Sequence, residues 1–424
     1  MFQNHLLVAI IVFSLAYVAL VSEKMNRVVV SMLGAILMVV FQVIPQDEAF
    51  TYIDFDTLGV LIGMMIIVNI LKETGFFQYV AIKTAKFANG EPWKIIVAFA
   101  IITALFSAFL ANVTTVLLIT PVMLVITDTL RVNPIPFLVP QILVANIGGT
   151  ATLIGDPPNI MIAGAAGFGF MDFIINLAPV VIIIFVVTIA IFKILYGKVL
   201  EVDDRNRKKI LEFDENKTIR DKGLLIKCLI VLALTILGFI THDLLNLQSA
   251  TVALFGATLL LAISGVDAEE IILETEWTTI LFFVGLFIMV GALEEVGVIE
   301  FLAQRMVSLT KGNIFITVMI ILWVSAIASS FLDNIPFVAT MIPLIKNLGV
   351  ISGMNTVPLW WALSLGACLG GSGTLIGASS NIVIASILEK NGHKLGFVEY
   401  MKVGFPLMIV SIIISTIYLV VIYI

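Results

Sequence analysis

The stretch GGTATLIGDPPNIMIA, residues 148–163, decides how this chain folds because it occurs twice. The second copy, GGSGTLIGASSNIVIA, spans residues 370–385, and ten of the sixteen positions are identical. Both copies interrupt long apolar sequence with glycine pairs and with Pro or Ser residues that break helices. Backbone that leaves the helix at membrane depth has to be buried in protein or line a wet cavity. We therefore expect a functional site at these two breaks.

Composition places the surrounding sequence in a bilayer. Of the 424 residues, 60% are apolar and only 12% are charged, whereas a soluble domain has about 25% charged residues. This excludes an ordinary soluble enzyme, a disordered protein and a disulfide-stapled module. The net charge of −6 predicts no nucleic-acid partner. Cys228 and Cys368 lie far apart in apolar sequence, so we expect no thiolate metal site.

Most apolar segments have the length of simple membrane spans, for which about 20 residues are needed. We predict such spans at Leu6–Val21, Val28–Ile44, Leu58–Leu71, Phe173–Phe192, Leu224–Ile240, Ser249–Ile263, Thr278–Leu293 and Phe405–Ile424. Phe137–Phe170 and Pro358–Leu388 contain the two breaks and are predicted to be broken spans. Trp93–Leu130 and Trp323–Leu348 carry polar residues near their middles and are predicted to be re-entrant hairpins. The chain then crosses the membrane ten times.

The duplication extends over most of the chain. At an offset of 222 residues, Asn112 matches Asn334 and Asn159 matches Asn381 without a gap. We predict a first repeat at 1–195, a cytoplasmic linker at 196–222 and a second repeat at 223–424. Each repeat has five crossings, an odd number, so the second is inverted relative to the first. The predicted fold is an all-α polytopic membrane protein of two inverted five-span repeats, each with a re-entrant hairpin and a broken helix, which is typical of secondary transporters.

The distribution of positive charge orients this topology. Of the 23 Lys and Arg residues, only Arg305, Lys311 and Lys346 fall on one predicted side. Positive residues mark the cytoplasmic side of short loops, so both termini are predicted to be outside. The charged linker is interpreted as a solvated cytoplasmic connector. We expect a multi-pass protein of the plasma (cell inner) membrane.

Two carboxylates, Asp156 and Asp333, fall deep in apolar sequence. A charged Asp near the bilayer centre costs roughly 3 kcal/mol or more. Because no Lys or Arg lies deep in any segment, we expect no internal salt bridge. The interpretations that stay open are a metal cation, a proton or a cap on a broken helix.

We hypothesise two pseudo-equivalent ion sites, each with one carboxylate and built within one repeat. The first combines Asn112, Thr114, Thr115, Thr152, Asp156 and Asn159. The second combines Asp333, Asn334, Ser372, Thr374, Ser379, Ser380 and Asn381. Amide, hydroxyl and carboxylate oxygens suit a hard cation such as Na⁺. The candidate Na⁺ ligands are Asn112, Asp156 and Asn159 in one site and Asp333, Asn334 and Asn381 in the other. No cofactor is expected besides Na⁺ or H⁺ as coupling ion.

The hairpin tips and breaks resemble the ArsB/NhaD permeases of the ion transporter superfamily. The matching motifs are Ala111-Asn112-Val113-Thr114-Thr115, Gly155-Asp156-Pro157-Pro158-Asn159, Leu332-Asp333-Asn334-Ile335-Pro336 and Gly377-Ala378-Ser379-Ser380-Asn381. Arsenite efflux permeases and the melanocyte P protein belong to this superfamily, and the stretches of the P protein are the most similar. The resemblance implies an elevator-type transporter with a mobile domain of hairpins and broken helices, and a scaffold that could form a homodimer. Related dicarboxylate symporters carry Ser-Asn-Thr at the tips, of which only the Asn is kept here.

These features predict an H⁺- or Na⁺-coupled secondary transporter of a small inorganic solute or anion, of the arsenite permease type. A Na⁺/H⁺ antiporter and a Na⁺-coupled dicarboxylate or citrate transporter are alternatives, and a passive anion channel is an alternative from another class. An enzyme is not expected, because no deep His or Glu offers a nucleophile–base pair or a metal triad. A primary pump is disfavoured because no P-loop motif is present, although a separate ATPase partner stays open.

Overall fold

The computed structural model describes residues 2–22, 24–197, 202–242 and 244–424, and this part of the chain is helical without strands. The first half contains α1 (Phe2–Ser22), α2 (Arg27–Val40), α3 (Gln46–Ala49), α4 (Phe55–Glu73), α5 (Phe76–Phe87), α6 (Pro92–Phe109), α7 (Asn112–Leu130), α8 (Ile135–Thr150), α9 (Pro157–Ala166) and α10 (Phe170–Tyr196). The linker contains α11 (Asp204–Leu211). The second half contains α12 (Lys222–Thr241), α13 (Ser249–Ser264), α14 (Ala268–Leu273), α15 (Trp277–Glu295), α16 (Val298–Thr310), α17 (Ile314–Phe331), α18 (Asn334–Ser352), α19 (Val357–Gly370), α20 (Ser379–Lys390) and α21 (Phe397–Tyr423). The predicted all-α polytopic class is confirmed.

Helix bounds repeat at the same offset as the sequence motifs. A shift of 222 residues converts the bounds of α4 into those of α15, of α6 into α17 and of α7 into α18. We call α6–α7 hairpin 1, α17–α18 hairpin 2, α8–α9 broken helix 1 and α19–α20 broken helix 2. The hairpins are confirmed as helical pairs, with two-residue tips at Leu110-Ala111 and Leu332-Asp333.

Ten of the described helices are long and apolar enough to cross a membrane, which equals the predicted number of crossings. The ten helices that satisfy the length criterion are, however, not the same ten segments that were predicted to cross. The hairpin arms, of 18 or 19 residues, satisfy the length criterion, whereas α2, α13 and the halves of the broken helices have only 10–16 residues. Helix length alone therefore does not distinguish a hairpin arm from a simple span. What distinguishes the arm is that its tip ends beside the break of a broken helix.

The helices form two bodies. In the scaffold, which comprises α1, α2, α4, α12, α13 and α15, α2 packs on α15 and α4 packs on α13. In the hairpin bundle, which comprises α6–α10 and α17–α21, each first hairpin arm packs on the first half of its own broken helix. Broken helices 1 and 2 also contact each other through α8 and α19. The hairpin bundle thus buries both breaks in protein, as backbone at membrane depth requires.

Glycine allows the close crossings in both bodies. A Cβ on Gly148 would lie 2.3 Å from the carbonyl oxygen of Ala104, and one on Gly370 would lie 2.6 Å from that of Ala326. These two pairs are repeat equivalents. The glycine pair that opens each copy of the duplicated stretch therefore lets the broken helix approach the hairpin backbone.

The linker packs against α5 and hairpin 1. Ile210 of α11 is fully buried, and α11 packs against α5 and α7. Lys86 Nζ lies 2.6 Å from Glu215 Oε2, and Asn206 Nδ2 donates to the carbonyl oxygen of Leu130 at 3.4 Å. The connector is therefore anchored to hairpin 1 at Ile210, whereas most charged side chains of α11 are exposed, as expected of a solvated connector.

Candidate functional site

Each hairpin tip is fastened to the break of the broken helix in its own repeat. The Thr374 hydroxyl donates to the carbonyl oxygen of Ser330 at 2.5 Å, and the Thr152 hydroxyl donates to that of Ala108. The two contacts are repeat equivalents. Thr152 Oγ1 also accepts from the backbone N–H of Gly155 at 3.2 Å. The hydroxyl groups of these two predicted site residues thus hold the non-helical backbone of each break against the hairpin tip.

Asn159 and Asn381 satisfy the carbonyls that each break leaves without helical partners. Asn159 Nδ2 donates to the carbonyl oxygen of Thr152 at 2.9 Å. Asn381 Nδ2 donates to those of Gly371 at 2.7 Å and Thr374 at 2.9 Å. The last four carbonyls of a helix have no intrahelical donor, so the amide groups replace the missing N–H groups. Neither amide nitrogen is available to a solute in this conformation.

The same two asparagines link the repeats through their amide oxygens. Asn159 Oδ1 accepts from Ser364 Oγ at 2.6 Å and lies 3.5 Å from Cys368 Sγ. Asn381 Oδ1 accepts from Asn146 Nδ2 at 3.0 Å. Ser364, Cys368 and Asn146 were absent from the predicted site. Asn146 carries a sequence signal, since it is a polar residue in an apolar run just before the first glycine pair.

Hairpin 1 contributes a packed amide and an unsatisfied hydroxyl. The Asn112 side chain lies against Ser107. The orientation of its amide that satisfies the surrounding groups places Nδ2 as donor to the carbonyl oxygens of Ala145 at 3.0 Å and Gly155 at 3.2 Å. Thr114 is half-buried in the first turn of α7. The Thr115 hydroxyl is buried and has no hydrogen-bond partner among the described residues.

The Asp156 carboxylate makes its side-chain contact with hairpin 2 of the second repeat and not with hairpin 1. Its buried carboxylate accepts from Asn334 Nδ2 at 3.3 and 3.4 Å, and it makes no side-chain cap on α9. Asn112 does lie beside this break, on the carbonyl oxygen of Gly155, but the Asp156 carboxylate itself reaches the other repeat, so the expectation of a cluster confined to one repeat is corrected. The reason is that α9 packs against α18, which brings the tip of hairpin 2 to the start of α9.

Asp333 has a cationic partner that we did not expect. Arg27 Nη1 lies 2.5 Å from Asp333 Oδ2, and the Ser379 hydroxyl lies 3.2 Å from the same oxygen. The other carboxylate oxygen caps α18 by accepting from Ile335 N at 3.1 Å. The expectation that no internal salt bridge forms is wrong, because Arg27 begins α2 at a span end and its long side chain reaches inward.

The remaining predicted residues surround broken helix 2. Ser380 Oγ donates to Asn146 Oδ1 at 3.3 Å, which adds to the link between the repeats. The Ser372 hydroxyl is buried and has no hydrogen-bond partner among the described residues. The two predicted sites thus form one polar centre at the tip of hairpin 2. There the amide of Asn334, the chain neighbour of Asp333, donates to the Asp156 carboxylate.

Two cavities lie between the scaffold and the hairpin bundle, each lined by residues of both bodies. One, of about 410 Å³, is lined by Arg27, Thr278, Thr279 and Ser379 among others. The other, of about 360 Å³, is lined by Asp54, Ala165, Glu294 and Lys346 among others. The described residues include no group of three or more His, Cys, Asp or Glu side chains that could hold a metal ion. A cation at this centre would instead be held by a carboxylate with hydroxyl, amide and backbone oxygens.

The duplicated broken helices, the paired hairpins and the polar centre between two bodies define a membrane transporter. The described fold is shared with the YdaH transporter of Alcanivorax borkumensis, with a TM-score of 0.62 over 91% of this chain and 88% of that one at 12% identity. A citrate transporter family model, CitMHS, matches residues 17–366, so the chain belongs to this family.

Two similar chains illustrate how far the likeness extends. A transporter of Mycobacterium tuberculosis is 45% identical over 418 residues, which cover 97% of each chain. The human P protein is 33% identical over 503 aligned residues, which cover 99% of this chain and 60% of that protein. The protein is thus a multi-pass membrane transporter and not an enzyme. The narrower resemblance to ArsB/NhaD permeases stays a prediction.

Proposed function

We propose that the protein is a cation-coupled secondary carrier of a small anion. The observation that carries the proposal is the cavity of about 410 Å³ at which the Arg27 side chain meets the start of α20 at Ser379 and the first turn of α15 at Thr278 and Thr279. Helix N-termini and a guanidinium both favour negative charge. Asp333, which contacts Arg27 and Ser379 of this cavity, and the buried Asp156 supply the negative charge for the coupling cation.

The substrate class follows from the size and chemistry of this cavity. An inorganic anion or an oxygen-rich solute such as arsenite fits hydroxyl and N–H donors without thiolates. Citrate or a dicarboxylate is the alternative within the same class, and the citrate transporter family supports it. We keep Na⁺ and H⁺ both as candidate coupling ions, because carboxylate, hydroxyl and amide groups can serve either ion.

The hairpin bundle is the mobile body in this proposal, and the scaffold is the static one. The apolar outer side of the scaffold, including exposed Leu15 and Val18 of α1, faces membrane lipid or a second copy of the chain. The charge distribution favours a plasma membrane location with both termini outside. The Arg27 cavity then faces the cytoplasm, and the cavity lined by Asp54 faces the opposite side.

Flux in proteoliposomes tests the proposal. Purified protein is reconstituted without any ATPase, and Na⁺ and H⁺ gradients are imposed separately with arsenite, phosphate, chloride, citrate or succinate as solute. We expect uphill accumulation of one anion under one cation gradient and none in protein-free liposomes. Anion flux that follows only its own gradient would instead indicate a passive channel. Absence of any flux without an added ATPase would indicate a pump subunit.

Na⁺/H⁺ exchange is the second candidate function. The observation that favours it is Asp156, a buried carboxylate that makes no ion pair within the described part of the chain. An exchanger would acidify or alkalinise the liposome lumen on addition of Na⁺ alone, which a trapped pH dye reports. An anion carrier would show this pH change only when its anion is present.

A further inference from the structure

We propose that Arg27 is a tethered cation: its guanidinium occupies the place at Asp333 that a transported Na⁺ takes, and Na⁺ has to displace it in order to bind. The inference rests on the proposed cation-coupled function and adds a scaffold residue to the coupling machinery. It also makes the Arg27–Asp333 ion pair a contact that is broken during each transport cycle.

The contacts form a closed triangle. Arg27 Nη1 lies 2.5 Å from Asp333 Oδ2 and 3.0 Å from Ser379 Oγ, and the Ser379 hydroxyl lies 3.2 Å from the same carboxylate oxygen. A carboxylate and a neighbouring hydroxyl are oxygen ligands that suit a hard cation. Both oxygens here already face the positive charge of Arg27. A solution cation and the guanidinium therefore compete for the same pair of oxygens.

The surroundings make this charge compensation necessary. A small cavity beside the ion pair is walled by Leu20, Phe282 and Phe331, and only 12% of the Asp333 side chain is exposed. A carboxylate in such a place is strongly disfavoured when its cationic partner is removed. Arg27 is more exposed, at 32%, and it also lines the cavity of about 410 Å³. Na⁺ can therefore reach Asp333 through this cavity as the guanidinium withdraws into it.

The ion pair joins the two bodies of the protein. Arg27 is the first residue of α2 in the scaffold, whereas Asp333 and Ser379 belong to the hairpin bundle. The repeat equivalents of Arg27 and Asp333 are Ser249 and Ala111, so hairpin 1 has no corresponding pair. Displacement of Arg27 by Na⁺ thus releases the tip of hairpin 2 from the scaffold. This couples loading of the cation to movement of the hairpin bundle.

A Na⁺ titration of the purified protein tests the proposal without using transport as readout. The melting temperature is followed as NaCl replaces choline chloride at constant ionic strength. We expect Na⁺ to raise Tm, with a half-saturating concentration at least tenfold lower in Arg27→Gln than in the unchanged protein. Arg27→Lys keeps the charge but loses the guanidinium fork, so its half-saturating concentration should fall between the two. If Arg27→Gln does not fold, a half-saturating Na⁺ concentration in Arg27→Lys below that of the unchanged protein still supports the proposal, and an equal or higher one contradicts it.

Two controls assign the effect to Asp333. Asp333→Asn and the double variant Arg27→Gln/Asp333→Asn should show no Na⁺-dependent shift, whereas Lys24→Gln, a nearby charge removal, should match the unchanged protein. An unaltered or weaker Na⁺ response in Arg27→Gln, a response that persists in the double variant, or no response in any protein would overturn the proposal. These results leave anion flux untouched, so failure of the proposed function is recognised separately in proteoliposomes.

Discussion

At the scale of single residues, Asp156 and Asp333 have different environments despite their similar sequence surroundings. Asp333 is neutralised by Arg27 and also caps α18, so it has a structural role in addition to any transport role. Asp156 accepts hydrogen bonds from neutral groups, the Asn334 amide and the Cys368 thiol. A buried carboxylate without an ionic partner is costly, so Asp156 is the candidate carboxylate for a transported proton, beside the Na⁺ place that we propose at Asp333.

Replacing Asp156 by Asn tests this claim. The amide oxygen of Asn can still accept from Asn334, so we expect the fold to persist and Tm to change by only a few degrees. Cation-driven flux should fall at least tenfold, because the negative charge is lost. Asp128→Asn, at the exposed end of α7, is the matched control and should retain flux. Retention of cation coupling in Asp156→Asn would exclude it as the coupling carboxylate.

The Asn381 amide is expected to contribute mainly to stability. Asn381→Ala removes donors to two carbonyl oxygens and the acceptor for Asn146, all buried. Each buried group left unsatisfied costs about 1–3 kcal/mol, so we expect a clear fall in Tm. Asn391→Ala at the exposed end of α20 serves as control. Equal melting temperatures of the two variants would contradict this structural role.

At the scale of helices, the breaks work because hairpin and broken helix approach each other at glycine. A methyl group on Gly148 or Gly370 would lie within 2.6 Å of a backbone carbonyl oxygen. We therefore expect Gly148→Ala and Gly370→Ala to reduce the yield of folded, monodisperse protein severalfold on size-exclusion chromatography. A methyl group on Gly223 would lie 3.3 Å from Asp221 Oδ1, at the end of a side chain, so Gly223→Ala should have normal yield.

The linker contacts α5 through the Lys86–Glu215 ion pair, and we expect this ion pair to contribute to its docking. Hydrogen bonding to Lys86 lowers the pKa of the Glu215 carboxyl from its usual 4.5. A carboxyl with a lowered pKa stabilises the folded state at neutral pH, and this contribution is lost as the pH falls below 4.5 through the lowered pKa. Lys86→Met should therefore increase amide hydrogen exchange in residues 204–218 at pH 7.

The control for this exchange experiment is Lys94→Met, which removes an equal charge that pairs with Glu91 at the base of hairpin 1. Exchange in residues 204–218 should stay unchanged in that variant. If Lys86→Met also left exchange unchanged, the apolar contact of Ile210 would be sufficient to dock the linker.

At the scale of the whole molecule, the two cavities are predicted to open on opposite sides of the membrane. Thr279 lines one cavity and Ala165 lines the other. Each is replaced singly by cysteine in a variant in which Cys228 and Cys368 have been removed. A membrane-impermeant thiol reagent added to intact cells should label Ala165→Cys. The same reagent should label Thr279→Cys only after the cells have been lysed. The reverse labelling pattern would mean that the termini lie in the cytoplasm.

Much of the architecture could be predicted because it depends on order along the chain. The duplicated stretch at 148–163 and 370–385 predicted the repeat and the breaks, and polar residues near the middle of two long apolar stretches predicted the hairpins. Membrane length criteria were less informative, since hairpin arms satisfy them and α2 and α13 do not. The link of Asn159 to Ser364 and Cys368 lay beyond sequence reasoning, because each of these residues resembles ordinary apolar-helix packing when it is considered alone.

The pattern of apolar, polar and helix-breaking residues was sufficient for the membrane class and the repeated helix bounds, and it made Asp156 and Asp333 candidate site residues. Only the packing of the repeats decided what those carboxylates contact. Asp156 meets Asn334, 178 positions away in the chain, and Asp333 meets Arg27, 306 positions away. A carboxylate senses charge and hydrogen-bond donors within a few ångströms, and which groups come so close is set by how helices pack and not by how they follow one another.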